Sequence, residues 1–370
     1  MSGHDRSNRH RRVLMTVDAI GGVWRYAMNL GAALKSNNIE VVFAGLGPFP
    51  ADDKVAEAGR VGKLVWLDAP LDWTAQTEEA VAEVPRLIAD LARREQADLL
   101  HLNLPSQAAG MQTNLPIAVV CHSCVVTWFA AVRGREVPPD WQWQYRLNQE
   151  GFACADTVIA PSHSHARAME AAYGTIGNLQ VVHNASALAV SDEPKQDFVL
   201  AAGRWWDDGK NGAVLDEAAA MTRWTVAAAG ATTGPNGQNM RFRHADHRGE
   251  LSHERMSALT RQAAIVASPS LYEPFGLAAL EAARAGAALV LSDIPTYREI
   301  WDGAALFADP HRPDVFADAF NSFAGDPQQR AALGRKARAR SAGFSVKAQA
   351  EAMRSIYSGM CARGFSTAAE

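Results

Sequence analysis

The sequence has few cysteines, no long apolar run and no excess of positive charge. Its 370 residues include only four cysteines, too few for the disulfide framework of a secreted protein, so a reducing compartment is expected. No stretch approaches the roughly 20 apolar residues of a membrane-spanning helix. The formal net charge of −4 argues against a nucleic-acid binder, which needs a broad basic surface. These absences favour a cytoplasmic protein without a nucleic-acid partner.

Motifs for metal, redox and dinucleotide chemistry are incomplete or missing. Cys121 and Cys124 form a C-x-x-C, but a zinc site needs further ligands. The pair follows an apolar strand rather than opening a helix, which disfavours a thioredoxin-like role. The dehydrogenase fingerprint G-x-G-x-x-G is absent. Two histidine pairs are interpreted as ordinary loop residues: His163 with His165, and His244 with His247.

Short apolar segments alternate with longer helical ones along the whole chain. Strands separated by helices predict right-handed βαβ units and parallel sheets. A chain of this length, with 48% hydrophobic residues, suits two hydrophobic cores better than one. The predicted fold is therefore α/β, with two Rossmann-like parallel-sheet domains. The predicted strands are 13–17, 40–44, 63–67, 99–103, 117–121, 157–160, 180–183, 198–202, 225–229, 264–267, 288–291 and 305–307.

A short polar segment at 191–196 predicts a hinge between the two domains. The expected ranges are 1–188 for the N-terminal domain, 189–345 for the C-terminal domain and 346–370 for a terminal helical segment. One face of that helix is apolar and is expected to pack back across the hinge. This face carries Met353, Ile356, Tyr357 and Met360.

The most informative segment joins an apolar strand, which ends at Ala267, to a helix that begins near Gly276. Free N–H groups at a helix start suit an anionic ligand, and a glycine lets that ligand approach the backbone closely. Glu273 and Glu281 flank this turn. Eight residues of helix span about 12 Å, whereas the two carboxyl groups of a glycosidase lie about 5–9.5 Å apart. The pair better fits two ends of a longer ligand, a sugar at Glu273 and a ribose at Glu281.

Two basic residues lie in the loop after the first strand of the second domain. Arg204 and Lys210 are expected at the same sheet edge as Glu273. Two cations there can clamp a diphosphate, the arginine bidentately and the lysine as a point charge. Alternatively, Asp207 and Asp208 neutralise them in a solvated loop, and the residues alone leave both interpretations open.

The first domain offers a glycine pair and a histidine. Gly21 and Gly22 lie between the first strand and its helix, where they serve either a ligand or a tight connection. His122 follows a strand end in the loop facing the expected cleft. A structural and a functional role for this histidine are equally compatible with the sequence.

Together these residues resemble family 4 of the retaining glycosyltransferases, which have the GT-B fold. The resemblance covers nearly the whole chain, and its most specific part is the combination of Arg204 and Lys210 with the two glutamates. Trp205 and Trp206 are bulkier than the aliphatic residue usual after this arginine. Further matching segments are Ala160-Pro161-Ser162, Val182-His183-Asn184, Gly249-Glu250-Leu251-Ser252 and Ser292-Asp293-Ile294-Pro295.

The resemblance implies a role for each site residue. Arg204 and Lys210 would bind the donor diphosphate and stabilise the leaving group, and Glu281 would hold the ribose. Glu273 would contact the transferred sugar, and His122 would reach it from the first domain. The remaining implied contacts are the backbone of Phe275, Gly276 and Leu277 for the sugar, Gly21 and Gly22 for phosphate and acceptor, and Leu251 in the segment that reads the nucleobase.

The implied activity is retaining transfer of a hexose from a GDP- or UDP-sugar to a hydroxyl of a sugar, glycan, lipid-linked or small-molecule acceptor. Family members are thought to work at one face of the sugar, where electrostatic stabilisation of the diphosphate supplies most of the catalysis. The sequence has no D-x-D, so neither a metal nor another cofactor is expected. The alternatives are a nucleotide-sugar epimerase on the same fold and a non-catalytic nucleotide-sugar-binding protein.

An aromatic-rich stretch at 128–146 leaves three interpretations open. Its rings fit a packed core, a platform that stacks on acceptor sugars, or an interfacial membrane patch. The basic residues before Val13 add a second basis for contact with anionic lipid. The expected location is therefore the cytoplasm, with peripheral contact at the inner face of the membrane as the alternative. The aromatic residues are Trp128, Phe129, Trp141, Trp143 and Tyr145.

Overall fold

Residues 11–366 are described by the computed structural model, and side chains are described for residues 11–362. The basic segment before residue 11 lies outside the described residues. The described chain forms two sheets, each with helices on both faces. Within this part no helix is long and apolar enough to cross a membrane.

Seven parallel strands form the first sheet, in the order β3-β2-β1-β4-β5-β6-β7. The strands are β1 Arg11–Asp18, β2 Ile39–Leu46, β3 Lys63–Trp66, β4 Leu99–Leu102, β5 Ile117–Val120, β6 Thr157–Ala160 and β7 Leu179–Val181. The helices of this domain are α1 Gly22–Lys35, α2 Asp52–Val61, α3 Val84–Arg94, α4 Val125–Arg133, α5 Gln142–Cys154 and α6 His163–Tyr173. Helix α3 has Pro85 in its first turn, where the missing N–H of proline costs no helical hydrogen bond.

Six parallel strands form the second sheet, in the order β10-β9-β8-β11-β12-β13. The strands are β8 Gln196–Ala202, β9 Thr225–Ala229, β10 Asp246–Gly249, β11 Ala263–Ser268, β12 Ala288–Ser292 and β13 Leu306–Ala308. The helices are α7 Gly212–Ala219, α8 His253–Gln262, α9 Leu277–Arg284, α10 Pro295–Trp301, α11 Pro313–Gly325, α12 Pro327–Ser341 and α13 Val346–Ser366.

Both sheets reverse their strand order at the first strand of the domain. β1 lies between β2 and β4, and β8 lies between β9 and β11. Ligands of open parallel sheets bind in the crevice at such switch points, beyond the carboxyl ends of the strands. All five residues of β12 are buried, because helices cover both faces of the sheet. Such strands are continuous apolar runs, which can be recognised in the sequence.

The sequence did not reveal β10. All four of its residues are polar or glycine, and none is buried. This strand lies at the edge of the second sheet, where it has a partner on one side only. The hydrophobic pattern that identifies internal strands is therefore missing from it.

Two segments of chain connect the domains. The first follows β7, and the second joins α12 to α13. They meet where Ser186 and Ser345 form a parallel β-bridge. Beyond it, α13 returns to the first domain and packs against α1, with Met353 and Tyr357 completely buried.

The aromatic side chains of the stretch at 128–146 are buried or partly buried, in the first-domain core or between the domains. Trp143 is buried, and its neighbours pack against the core of the first domain; they are Phe129, Trp141 and Tyr145. Trp128 donates its Nε1–H to Asp207 of the second domain, over 2.9 Å. These contacts favour the core interpretation over a solvent-facing patch.

Candidate active site

The loops at the carboxyl ends of β8 and β11 form the side of the cleft that belongs to the second domain, here called the second-domain wall. An ion pair between these two loops lies at its centre. Lys210 ends a short 3₁₀ turn after β8, and its Nζ contacts Oε1 of Glu273 in the loop after β11. Ser270 donates its hydroxyl to the same oxygen, over 3.3 Å. The lysine and glutamate side chains are only 20% and 13% exposed. The sequence-predicted cation and carboxylate therefore lie together, at the switch point of the sheet.

Arg204 lies beside this pair with only long contacts. Its Nη1 is 3.4 Å from the carbonyl oxygen of Ile20, and its Nη2 is 3.4 Å from Oδ2 of Asp207. Both distances exceed the ordinary hydrogen-bond range. The guanidinium also lies over the ring of Trp206, 5.4 Å from its centroid. Since 36% of the arginine side chain is exposed, the cation remains accessible from the cleft.

The acidic residues of this loop form hydrogen bonds and ion pairs with several other groups. Asp207 accepts hydrogen bonds from the backbone N–H of Gly209 and from the indole of Trp128, each over 2.9 Å. Asp208 forms its ion pair with Arg133 of the first domain. The alternative from the sequence is thus met in part: Asp207 also forms a long ion pair with Arg204, over 3.4 Å, whereas Lys210 pairs with Glu273.

The loop after β11 leads into α9 without a side-chain cap. Gly276 has φ of +89°, and a Cβ there would lie 2.6 Å from Cε1 of Tyr297. Only glycine fits both constraints. Phe275 is 3% exposed and stacks edge-on against Phe344, so its backbone alone can face a ligand. Leu277 begins the helix.

Glu281 lies one turn further along α9. Burial raises the pKa of its carboxyl to about 7, while the nearby charge of Arg25 lowers it. Within the described residues no hydrogen-bond donor contacts this carboxylate. Leu251 follows β10 and packs half-buried against the core of the second domain.

The glycine turn of the first domain reaches across to these residues. Gly21 has φ of +108°, and a Cβ there would lie 3.2 Å from Nη1 of Arg204. A Cβ on Gly22 would lie 3.6 Å from Cδ1 of Leu277. The structure thus brings the predicted turn into contact with the predicted cation and helix start.

His122 lies at the same side of the cleft, half-buried after β5. Its Nε2 is 2.9 Å from Oδ1 of Asn103, and its ring packs edge-on against Tyr26, with centroids 4.3 Å apart. Burial, with His101 and His165 nearby, lowers the pKa of His122 to about 3. The imidazole is therefore neutral at physiological pH.

Two polar residues of this wall were missed by sequence analysis. Asp18 ends β1 and is 5% exposed; burial raises its pKa to about 6, against lowering by the N–H of Ile20 and the charges of Arg204 and Lys54. Asn103 directly follows β4. Both are polar residues that end apolar runs, and that position was the available signal.

One expectation about the C-x-x-C pair was wrong. Cys124 does open a helix, because its Sγ accepts the N–H of Thr127 and caps α4. Both thiols are buried and free. Elsewhere, residues 11–362 contain no group of three or more His, Cys, Asp or Glu side chains placed to hold a metal ion.

Further contacts join the two domains around the cleft. The Thr127 and Tyr272 hydroxyls are 2.8 Å apart. Glu299 of α10 accepts the backbone N–H groups of His163 and Ser164, over 2.9 and 2.5 Å, and so caps α6 of the other domain. These bonds hold the predicted residues of both walls face to face.

Two family models match this chain, one in each domain. The model described as Glycosyltransferase Family 4 matches residues 20–188. The model described as Glycosyl transferases group 1 matches residues 243–340.

Curated relatives match a shorter part. The D-inositol 3-phosphate glycosyltransferase of Corynebacterium jeikeium is 38% identical over 106 residues, which are 28% of this chain and 25% of that protein. The one from Nocardia farcinica is 36% identical over 107 residues, 28% of this chain and 24% of that protein. The chain thus matches about a quarter of the length of these relatives.

Solved structures match over nearly all of the chain. A sucrose-phosphate synthase from Thermosynechococcus elongatus gives a TM-score of 0.79 at 18% identity, covering 96% of this chain and 100% of that one. Anabaena Alr3699/HepE in complex with UDP-glucose gives 0.74 at 16% identity, covering 95% and 100%. At such identities the likeness shows the fold.

Proposed function

Because the chain belongs with the family 4-like glycosyltransferases of the GT-B fold, we propose that it moves a hexose from a nucleotide-diphosphate sugar to a hydroxyl acceptor, with retention and without a metal. The observation that carries this proposal is the Lys210–Glu273 pair at the switch point of the second sheet, together with Arg204, which meets the Gly21 turn of the first domain. Two cations beside an uncapped helix start suit a diphosphate. The acceptor class is a carbohydrate, a lipid-linked sugar or a small polyol.

The two cations act on the leaving group. As the bond between the sugar C1 and the diphosphate oxygen breaks, negative charge grows on the diphosphate, and Arg204 and Lys210 stabilise it. On donor binding Lys210 turns from Glu273 to the phosphates, which frees the glutamate to accept sugar hydroxyls. The departing oxygen takes the acceptor's proton, and the new bond to C1 forms on the same face.

The ribose is assigned to Glu281. An ionised carboxylate can accept a hydrogen bond from each ribose hydroxyl on a separate oxygen, whereas a protonated carboxyl offers a donor at one of the two oxygens. His122 contacts the transferred sugar from the opposite wall. Arg204 and Lys210 support metal independence, because they would supply the positive charge that a divalent ion supplies to the diphosphate in metal-dependent enzymes.

A donor panel tests the proposal directly. Calorimetry with UDP-glucose, other UDP-hexoses and GDP-mannose is expected to show one donor that binds below millimolar and is slowly hydrolysed without acceptor. UDP-glucose comes first, since Alr3699/HepE shares the fold and was solved with it. If no nucleotide-sugar binds below millimolar, the proposal fails.

Product analysis separates the alternatives. Transfer with retention gives a glycoside of unchanged anomeric configuration by NMR, and EDTA leaves the rate unaltered. A changed sugar in the absence of acceptor identifies an epimerase. Tight binding without hydrolysis or transfer identifies a sensor.

A further inference from the structure

A buried hydrogen-bond network lies behind His122 in the first domain. It contains Thr16 of β1, His101 of β4 and Asn103, which are 0%, 0% and 2% exposed. Such networks fix the orientation of their members when every donor has an acceptor. In this one, the amide of Asn103 determines the rest.

The Asn103 amide has a single possible orientation. Its Nδ2 lies 2.5 Å from the carbonyl oxygen of Thr16, which can only accept, so Nδ2 is the donor there. The Asn103 backbone N–H also donates to the hydroxyl of Thr16, over 2.8 Å. The Oδ1 atom therefore faces the histidines, and it can only accept.

This oxygen sets the tautomer of two imidazoles. Oδ1 lies 2.9 Å from Nε2 of His122 and 3.2 Å from Nε2 of His101, so each ring must carry its proton on Nε2. Burial lowers the pKa of both rings, to about 3 and about 4, so both are neutral. Nδ1 of His122 then carries a lone pair. Among the described residues this nitrogen has no hydrogen-bond partner. It is nevertheless not a buried unpaired atom, so it remains accessible to a ligand.

The C-terminal helix completes the network. The hydroxyl of Tyr357 in α13 lies 2.7 Å from Nδ1 of His101. Since the proton of His101 is on Nε2, Tyr357 must be the donor. Tyr26 is further away, 3.4 Å from Nε2 of His101. Residues of β1 and α13 thus fix Asn103 and His101, and Asn103 in turn determines which nitrogen of His122 is protonated.

We propose that Asn103 is a positioning residue that holds His122 as the Nε2–H tautomer, so that Nδ1 accepts a hydrogen bond from a ligand hydroxyl. The identification of that hydroxyl as one of a sugar rests on the proposed function. A hydroxyl can donate to Nδ1, whereas an ionised phosphate oxygen cannot. His122 therefore selects a hydroxyl at this point and provides no proton to the reaction.

The tautomer is measurable in the wild-type protein without any substrate. Two-bond ¹H–¹⁵N correlations of histidine-labelled protein are expected to show His122 protonated on Nε2 and bare on Nδ1 from about pH 5 to 8. Protonation on Nδ1, or a charged ring at pH 7, overturns the inference. If this tautomer is found but no donor binds, the proposed function fails and the inference about Asn103 stands.

An Asn103→Asp variant tests the link to activity. The groups facing His122 are His101, His165 and Tyr26, so the new carboxylate would be the nearest charge and would favour the imidazolium. The ratio of variant to wild-type kcat for donor hydrolysis is expected to fall at least about tenfold between pH 8 and pH 5.5. The exposed control Asn38→Asp keeps a constant ratio. A loss of equal size at every pH indicates a structural role and overturns the proposal.

Two substitutions of His122 decide the matter if that variant does not fold. The amide oxygen of asparagine can take the place of Nδ1, whereas that of glutamine reaches the place of Nε2. His122→Asn is therefore expected to retain at least about ten times the activity of His122→Gln. Equal losses, or the reverse order, contradict the proposal.

Discussion

The two walls of the cleft differ in chemistry, although each is the carboxyl edge of a parallel sheet. The second-domain wall presents charged side chains, Arg204 and the Lys210–Glu273 pair. The first-domain wall presents backbone at Gly21, the buried carboxyl of Asp18 and a neutral imidazole at His122, which is held by a buried amide. Charge on a diphosphate is recognised by cations, and hydroxyls by fixed neutral acceptors. In the proposed complex the diphosphate is therefore bound from the second-domain wall, whereas the sugar hydroxyls contact both walls, through Glu273 and His122.

The largest expected effect comes from removing a cation of the charged wall. Lys210→Ala deletes the positive partner of the half-buried Glu273 and one of the two charges offered to the leaving group. A loss of about 100- to 1,000-fold in kcat is expected, as for other preorganised electrostatic groups. Kinetics of donor hydrolysis provide the measurement. The control is Lys347→Ala, at a lysine that is 86% exposed; comparable kinetics for both variants would contradict the assignment.

A smaller effect is expected from adding a methyl group at Gly21, in the first-domain wall. Gly21→Ala forces a Cβ to within 3.2 Å of the Arg204 guanidinium, at φ of +108°. Strain of about 1–3 kcal/mol predicts a kcat/KM lower by about 10- to 100-fold. Gly59 of α2 has nothing within 4 Å of its Cβ position, so Gly59→Ala should leave kcat/KM unchanged. If Gly21→Ala also leaves it unchanged, the two walls do not need this close approach.

The smallest effect concerns the ribose carboxylate and depends on pH. The pKa of Glu281 is raised from 4.5 to about 7, so between these values the folded state binds more protons than the unfolded state. This carboxyl therefore makes folding less favourable as pH rises through that window. Glu281→Gln should raise the melting temperature by a few degrees at pH 8 and hardly at all at pH 4.

The same substitution should weaken donor binding about tenfold at pH 8, since it removes a charged acceptor. Differential scanning calorimetry and donor titration measure the two effects. In the wild type, donor affinity should fall as pH drops below about 7, because the free carboxyl then becomes protonated. The exposed Glu351→Gln is the control. If Glu281→Gln weakens donor binding but does not raise the melting temperature at pH 8, the ionised carboxylate does not destabilise the free protein.

Local signals in the sequence sufficed for most of the sheet framework. Buried parallel strands are continuous apolar runs, and each of the twelve predicted strands overlaps one of the thirteen observed strands. Edge strand β10 lacked that pattern, because its residues face solvent. The loops of the second-domain wall were also predictable, since Arg204, Lys210 and Glu273 each follow a recognisable strand end.

The residues of the first-domain wall were much less predictable from the sequence. Asn103 acquires its role through contacts with Thr16 and His122, which are distant in sequence. Tyr357 lies 256 residues from its partner His101 and looks like an ordinary apolar-face residue of a terminal helix. The cap formed by Cys124 depends on backbone geometry in the same way. Motif spacing cannot show these pairings, because the fold creates them.

The paired connections between the domains have a mechanical consequence. A domain held by one connection can swivel about it, whereas the two crossing segments here are bonded side by side at Ser186 and Ser345. Side-by-side connections resist twisting about their common direction and leave bending as the soft motion. Opening and closing should therefore follow one repeatable path, which returns Gly21 to the same place beside Arg204 in every cycle.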